Sequence, residues 1–440
     1  MGKYKPSLTE DKQDLISNLP DEILLKILSN LPPKLAASTS LLSPRWRQLW
    51  TKVPSIHFDY STTSQLDIWY PYTDIISRIL DLRDPQTCIQ KFSLDCMIKY
   101  GASKLCRWVS ILIEHGVQEL DFSIHADPRD WYSHIFELPP SLFTCKSLTM
   151  LKLKGGATRL SVPSFVYLPK LKILELRLME YGRNIEAFFA SLSSSCPVLE
   201  DLLIEDAYRI LPKLYIRAPQ TLKRMTYVGF QVINFDAQSL EYLGLRGVGG
   251  APVLVKDVIP SSLTEARVDL VLHDYGHGTL PLLNALQRIR VLYLSLEASQ
   301  DENDDFELGC HNLITFPNLT RLVLRINSCG WDLLSRFLRS SPNLKDLSLE
   351  IIGYHKSDET NWIEPQGVPE CLHSNLKIFE FWEYQDTKEE EEFVRYMLKN
   401  GRSLEKVKLH QQYSDWEQYY QKLFVIPRAA SACQLSILEN

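Results

Sequence analysis

The chain has 440 residues, 45% of them hydrophobic and 23% charged, with a formal net charge of −6 at pH 7. This is an ordinary globular composition, too long for one compact core and suited to a small module followed by an elongated repeat array. The acidic balance argues against a general nucleic-acid binder, and no apolar run approaches the ~18 residues of a membrane span.

Taken from the start, Met1 to Asp14 reads as a loose polar tail without a signal peptide. It nearly fits a myristoylation site, but Pro6 stands where Ser or Thr is wanted. The next stretch, Leu15 to Trp50, predicts three short helices punctuated by prolines. Pro20 suits a first helical position, and Asp21 and Glu22 complement the helix dipole behind it. Ile23, Ile27 and Leu31 recur every four residues beside Leu24 and Leu28, giving an amphipathic helix that Pro32 and Pro33 end. Lys34 to Leu42 allows a second helix. Ser43 and Pro44 open a third, with Trp46 and Trp50 one turn apart. So short a piece rarely holds a core alone. Either it docks as a cap on the rest of the chain, or another protein covers it.

The segment resembles a plant-type F-box. The likeness rests on Leu19-Pro20, "ILSNLP" from Ile27 to Pro32, Lys34, Ala36, Thr39-Ser40, Leu42-Ser43 and "RWRQLW" from Arg45 to Trp50. Ala37 and Pro44 depart from the usual valine and lysine. The resemblance implies binding to a Skp-type adaptor, and through it to a cullin–RING ubiquitin ligase. The adaptor contacts it implies are Leu19, Pro20, Ile23, Ile27, Leu28, Leu31, Pro32 and Trp46.

Beyond the module a pattern returns: apolar, two others, apolar, one other, apolar. Two weaker copies start at Ile89 and Val117. Eleven stronger ones start at Leu148, Leu171, Leu199, Leu222, Leu240, Leu263, Ile289, Leu319, Leu344, Leu376 and Leu404. Their mean period of about 26 residues lies in the leucine-rich-repeat range, although individual spacings vary. The last two apolar positions of each copy flank one residue and so share a strand face. Stacked in parallel, such strands bury a face that no single unit could bury. Helical stretches for an outer layer are predicted over Ile185–Leu192, Pro281–Ile289 and Trp331–Leu338, with Cys196-Pro197 and Ser341-Pro342 turning the chain back into a strand. The acidic run Ser299–Gly309 reads as a loop.

The terminal part carries a glutamate run, Glu389–Glu392, at a predicted helix start. Phe393, Met397 and Leu398 follow on an apolar face, and Asn400-Gly401 forms the stop. "VPECL" at Val368–Leu372, "NGRSLEKV" at Asn400–Val407 and Pro427-Arg428-Ala429 with Cys433 resemble the FBD region of plant F-box proteins. The expected architecture is therefore α/β. A tail (1–14) and a three-helix F-box (15–60) precede an irregular leucine-rich-repeat solenoid of parallel strands (61–360), and an FBD region (361–440) continues and closes it.

Candidate chemistry is sparse. His273 and His277 have metal-like spacing around Asp274, but Gly276 and Gly278 oppose a helix and no zincin glutamate follows. Gly244–Pro252 is glycine-rich without the lysine and serine of a phosphate loop. Ser191–Pro197 has serines but no nucleophile elbow. Nine cysteines placed singly, with no C-x-x-C, fit buried thiols in a reducing compartment, cytosol or nucleus. The expectation is a non-catalytic subunit with no cofactor, no metal, no membrane and no nucleic-acid partner. Its target would be a protein held on the solvent-facing strand positions: Lys152, Lys154, Arg177, Arg246, Arg267, Tyr293, Arg325 and Trp382, with Glu175, Glu205, Asp269 and Glu350 interspersed. A non-degradative scaffold and a small-molecule sensor acting through the same face are the alternatives.

Overall fold

The computed structural model describes residues 16, 18–59, 69–97, 102–125, 136–155, 158–178, 180–181, 184–206, 214–229, 233–248, 259–272, 279–298, 315–327, 330–352, 362–411 and 422–439. The tail, the His273–His277 cluster, the acidic run Ser299–Gly309 and Gly249–Pro252 lie outside them. The chain divides into two compact units, Met1–Arg159 and Leu160–Asn440.

In the first unit the predicted module forms α1 (Asp21–Ser29), α2 (Pro33–Ser38) and α3 (Trp46–Leu49). Pro20 and Pro32 sit just outside their helices as caps. The third helix is shorter than expected: it opens at Trp46 rather than at Pro44 and runs on as a single 3-10 turn, Trp50–Lys52. Leu24, Leu28, Ala36, Trp46, Leu49 and Val53 form the module's own small core. Arg45 closes it from outside, pairing with Asp21 and donating to the Leu19 carbonyl oxygen at 2.7 Å. Two helices that the leucine pattern had not signalled, α4 (Trp69–Asp81) and α5 (Ala102–Glu114), pack together through Trp108 Nε1 donating to Ser77 Oγ at 2.9 Å. Buried Arg83 donates to the Val53 carbonyl oxygen at 2.7 Å, tying the end of α4 to the end of the module. Burial lowers its guanidinium to about 10, with the neighbouring Asp84 working the other way.

Strands β1 (Ser55–Phe58), β2 (Lys91–Met97), β3 (Glu119–His125) and β4 (Met150–Lys154) follow, each parallel to the last. The second unit continues the same arrangement. It contains β5 (Ile173–Arg177), β6 (Asp201–Glu205), β7 (Arg224–Val228), β8 (Tyr242–Val248), β9 (Glu265–Leu272), β10 (Val291–Ala298), β11 (Arg321–Asn327), β12 (Asp346–Ile352), β13 (Ile378–Trp382), β14 (Lys406–Gln411) and β15 (Gln434–Glu439). All of these pair in parallel with their chain neighbours. Every copy of the leucine pattern is one of these fifteen strands; β1 and β15 are the two that it did not mark. The first apolar residue of each copy, from Ile89 to Leu404, is buried just ahead of its strand. A short outer pair, Leu214–Arg217 beside Ile233–Asp236, was also unmarked.

The predicted outer-layer helices are present as α6 (Ile185–Ala190), α7 (Leu192–Ser195), α8 (Thr279–Ala285) and α9 (Trp331–Ser340), with α10 (Glu370–Ser374) and α11 (Lys388–Asn400) in the terminal region. Ser191–Pro197 holds the α6–α7 junction at Ser191 and then α7 itself, with Ser195 buried, and Gly244 to Val248 lies in strand β8. The start of α11 is fixed by a capping box: Thr387 accepts from the Glu390 N–H, and the buried Glu390 carboxylate accepts from the Thr387 and Gln385 N–H groups. Trp331, Trp362, Phe379 and Phe393 interlock beneath it, the Trp362 and Phe393 ring centroids 4.8 Å apart. Gly401 ends the helix with φ −79, so its role is room rather than handedness, since a Cβ there would meet the Leu404 side chain and the Met397 carbonyl oxygen.

Candidate interaction surfaces

Helix α1 carries two apolar stripes that diverge. Leu24 and Leu28 point into the module core. Ile23 and Ile27 point to solvent, 45% and 41% exposed, with Leu31 beyond the helix end at 37%. Ile16, Leu35, Leu41 and Leu42 are also exposed on the module. Scattered exposed leucines are unremarkable; here seven large aliphatic side chains are exposed on one small module.

Two of the expected adaptor contacts lie inside the module in this structure. Leu28 and Trp46, 1% and 3% exposed, fill the module's own core and have no surface to offer a partner. Leu19 is half-buried against the same core, while Pro20 and Pro32 are exposed beside Ile23, Ile27 and Leu31. The sequence reading overlooked Leu35, Leu41 and Leu42. The signal was present in the adjacent pair Leu41-Leu42, which follows a helix too short to bury both.

The second surface is the outward face of the parallel sheet. In the first unit Lys152 and Lys154 face outward from β4, aligned with Asp121 and Ser123 of β3. In the second unit parallel register builds two rungs across neighbouring strands. One runs Arg246, Asp269, Ser295, Arg325, Glu350, Trp382 from β8 to β13; the other, two residues earlier, includes Gly244, Arg267, Tyr293, Val323, Ser348, Glu380 and Lys408.

Charges on this face pair with one another, both along a strand and between strands. Arg177 bonds Glu175 at 2.9 Å. Arg267 Nε and Arg246 Nη2 both reach one oxygen of Asp269, at 2.9 and 3.4 Å. Arg325 lies between Glu297 and Glu350 at 2.9 and 2.8 Å. The hydrogen bond from Arg267 to Asp269 holds its guanidinium above the ordinary arginine value. Burial works to raise Glu380, but the hydrogen bond and charge of Lys408 outweigh it and hold the carboxyl below the usual range. Trp382 is stacked on the His410 ring, centroids 3.7 Å apart, so one ring face is already taken. Arg246, Arg267 and Arg325 come together around one pocket; Lys152, Lys154, Arg177 and Trp382 lie outside it. Ser295 and Glu297, missed in the sequence, line that pocket. Among the described residues no group of three metal-ligating side chains gathers, and no helix is long and apolar enough to cross a membrane.

A family model for the F-box domain matches residues 16–58. One described as the LRR repeats of the FBD-associated F-box protein At5g56370 matches residues 105–252, and one for FBD matches residues 364–409. The FBD-associated F-box protein At5g60610 of Arabidopsis thaliana is 33% identical over 409 residues, covering 89% of this chain and 98% of its own. The F-box/LRR-repeat protein 13 of the same plant is 30% identical, with 99% of each chain covered. The F-box/FBD/LRR-repeat protein At1g78750 is 30% identical over 97% of this chain and 96% of its own.

Proposed function

This chain belongs to the plant F-box/FBD/leucine-rich-repeat family, and on that footing we propose that it is the substrate-recognition subunit of a Skp–cullin–F-box ubiquitin ligase. The observation that carries the reading is the outward aliphatic stripe of the F-box, Ile23, Ile27 and Leu31, with Leu35, Leu41 and Leu42 also exposed on the same module. A Skp-type adaptor covers that stripe and links the chain to a cullin and its RING partner. The outward sheet face holds a target protein, and ubiquitin transfer follows from proximity, the ligase supplying the chemistry. The chain itself performs no reaction. Its singly placed cysteines support a reducing compartment, cytosol or nucleus, as the place where it works.

Co-expression of the full chain with a Skp-type adaptor tests the first half: the two should co-purify, and failure to do so refutes the assignment. Proximity labelling with the F-box intact and deleted tests the second. A protein bound to the sheet face should accumulate when the F-box is removed. A bound protein whose level does not change points instead to a non-degradative scaffold.

A further inference from the structure

On the outward sheet face, strands β8 to β11 enclose an open pocket of about 260 Å³ lined by Arg246, Arg267, Asp269, Ser295, Glu297 and Arg325. Its two sides are charged unequally. On one, two guanidinium groups share a single carboxylate, and share the same oxygen of it. One positive charge is left over there. Each guanidinium has five N–H donors and spends one on Asp269, so about eight remain. Both side chains are more than half exposed. On the other side the balance is reversed: Arg325 lies between two carboxylates, Glu297 and Glu350, and is already fully matched.

From this asymmetry we propose that the pocket takes one acidic side chain, an aspartate or glutamate of the bound target, between Arg246 and Arg267. The proposal rests on the reading of the sheet face as the target surface and deepens it. Forked guanidinium groups match a planar carboxylate with paired hydrogen bonds, which a lone ammonium would not. The charge count selects a monoanion. A single carboxylate cancels the one surplus charge. A phosphate dianion would overshoot it and face Glu297 and Glu350 across the pocket, a repulsion that discriminates against the wrong partner.

The test uses the full-length chain, immobilised and exposed to a positional peptide library. At the fixed position the library carries Asp, Glu, Gln, Lys, Ala or phosphoserine. Aspartate and glutamate should be retained about tenfold or more over glutamine, the gain of a charge-assisted pair over a neutral one. Arg246→Gln/Arg267→Gln should abolish that preference, while Arg336→Gln, on the outer helix α9, should leave it intact. Equal melting temperatures for the three proteins show that the fold is unchanged. Preference for phosphoserine over both acids overturns the monoanion assignment. An acidic preference that survives the double substitution, or a preference for another residue class, overturns the pocket while leaving the sheet face as target surface. Retention of no peptide overturns both. Competition by free glutarate at micromolar concentration would reassign the pocket to a small carboxylic acid.

Discussion

Replacing Ile23, Ile27 and Leu31 together by alanine tests the outward stripe of the F-box as a binding face. The exposed fractions of these side chains, 45%, 41% and 37%, amount to a little more than one whole aliphatic side chain. Fully covering such a side chain is worth about 1.5–3 kcal/mol, so the triple substitution should cost about 2 kcal/mol of adaptor affinity. That corresponds to ~30-fold in Kd. The fold should weaken as well, since the larger part of each of these side chains is covered within the chain, but it should survive. Alanine is the better helix former, and the inward stripe of Leu24 and Leu28 is untouched. Leu28→Ala is the converse. It opens a hole in a core of six residues and should cost about 2–5 kcal/mol of stability. Titration of purified Skp-type adaptor by calorimetry, with thermal denaturation of each variant alone, reads both quantities. An unchanged Kd in a triple variant that remains folded would show that the outward stripe is not the binding face.

Gly155 has φ +135, and a Cβ there would run into the Ile124 carbonyl oxygen of the adjacent strand. Gly155→Ala should therefore cost about 3 kcal/mol or more, seen as a lower urea midpoint, where an ordinary surface substitution would cost less than ~0.5 kcal/mol. A variant as stable as the parent would contradict the close approach. Burial raises the Cys196 and Cys371 thiols to about 12, whereas Cys88 is exposed. Iodoacetamide at about pH 8 should label Cys88 in the native protein and spare the other two until unfolding, which peptide mass mapping resolves. Glu380, held below the ordinary carboxylate range, contributes stability above its unfolded value of about 4.3 and loses it as pH falls through the lower folded value. The melting-temperature gap between the parent and Glu380→Gln should narrow from about pH 6 to about pH 3. A gap independent of pH would remove Lys408 as the cause.

Most of the scaffold was legible because one physical requirement repeats: each parallel strand must turn two alternate apolar residues inward and plant one more just before it begins. A pattern of three apolar positions therefore marked thirteen strands. Strand β1, only four residues long, is too short to show the pattern, and β15 follows a different approach from Cys433. Helices α4 and α5 lie outside the strand pattern: their buried residues, Ile76 and Leu80 in one and Leu105, Trp108, Val109 and Leu112 in the other, follow a helical spacing instead. In the F-box the apolar positions were visible but their direction was not. Leu24/Leu28 and Ile23/Ile27 lie about 100° apart on one helix, and either pair satisfies the same periodicity. Only the position of Ala36, Leu49 and Val53 decides that the leucines go inward. On the sheet face the individual arginines were foreseeable; that Arg246 and Arg267 converge on one aspartate depends on register between strands whose connections differ in length.

The strand ladder has a consequence for how this protein can diversify. Neighbouring strands are aligned by their backbone hydrogen bonds, whatever the length of chain that joins them. A connection can lengthen or shorten without sliding the rows of outward side chains past one another. A lineage built on this plan can therefore rewrite its recognition surface one position at a time, or add material at the rims, while the alignment that keeps the rest in place is inherited unchanged.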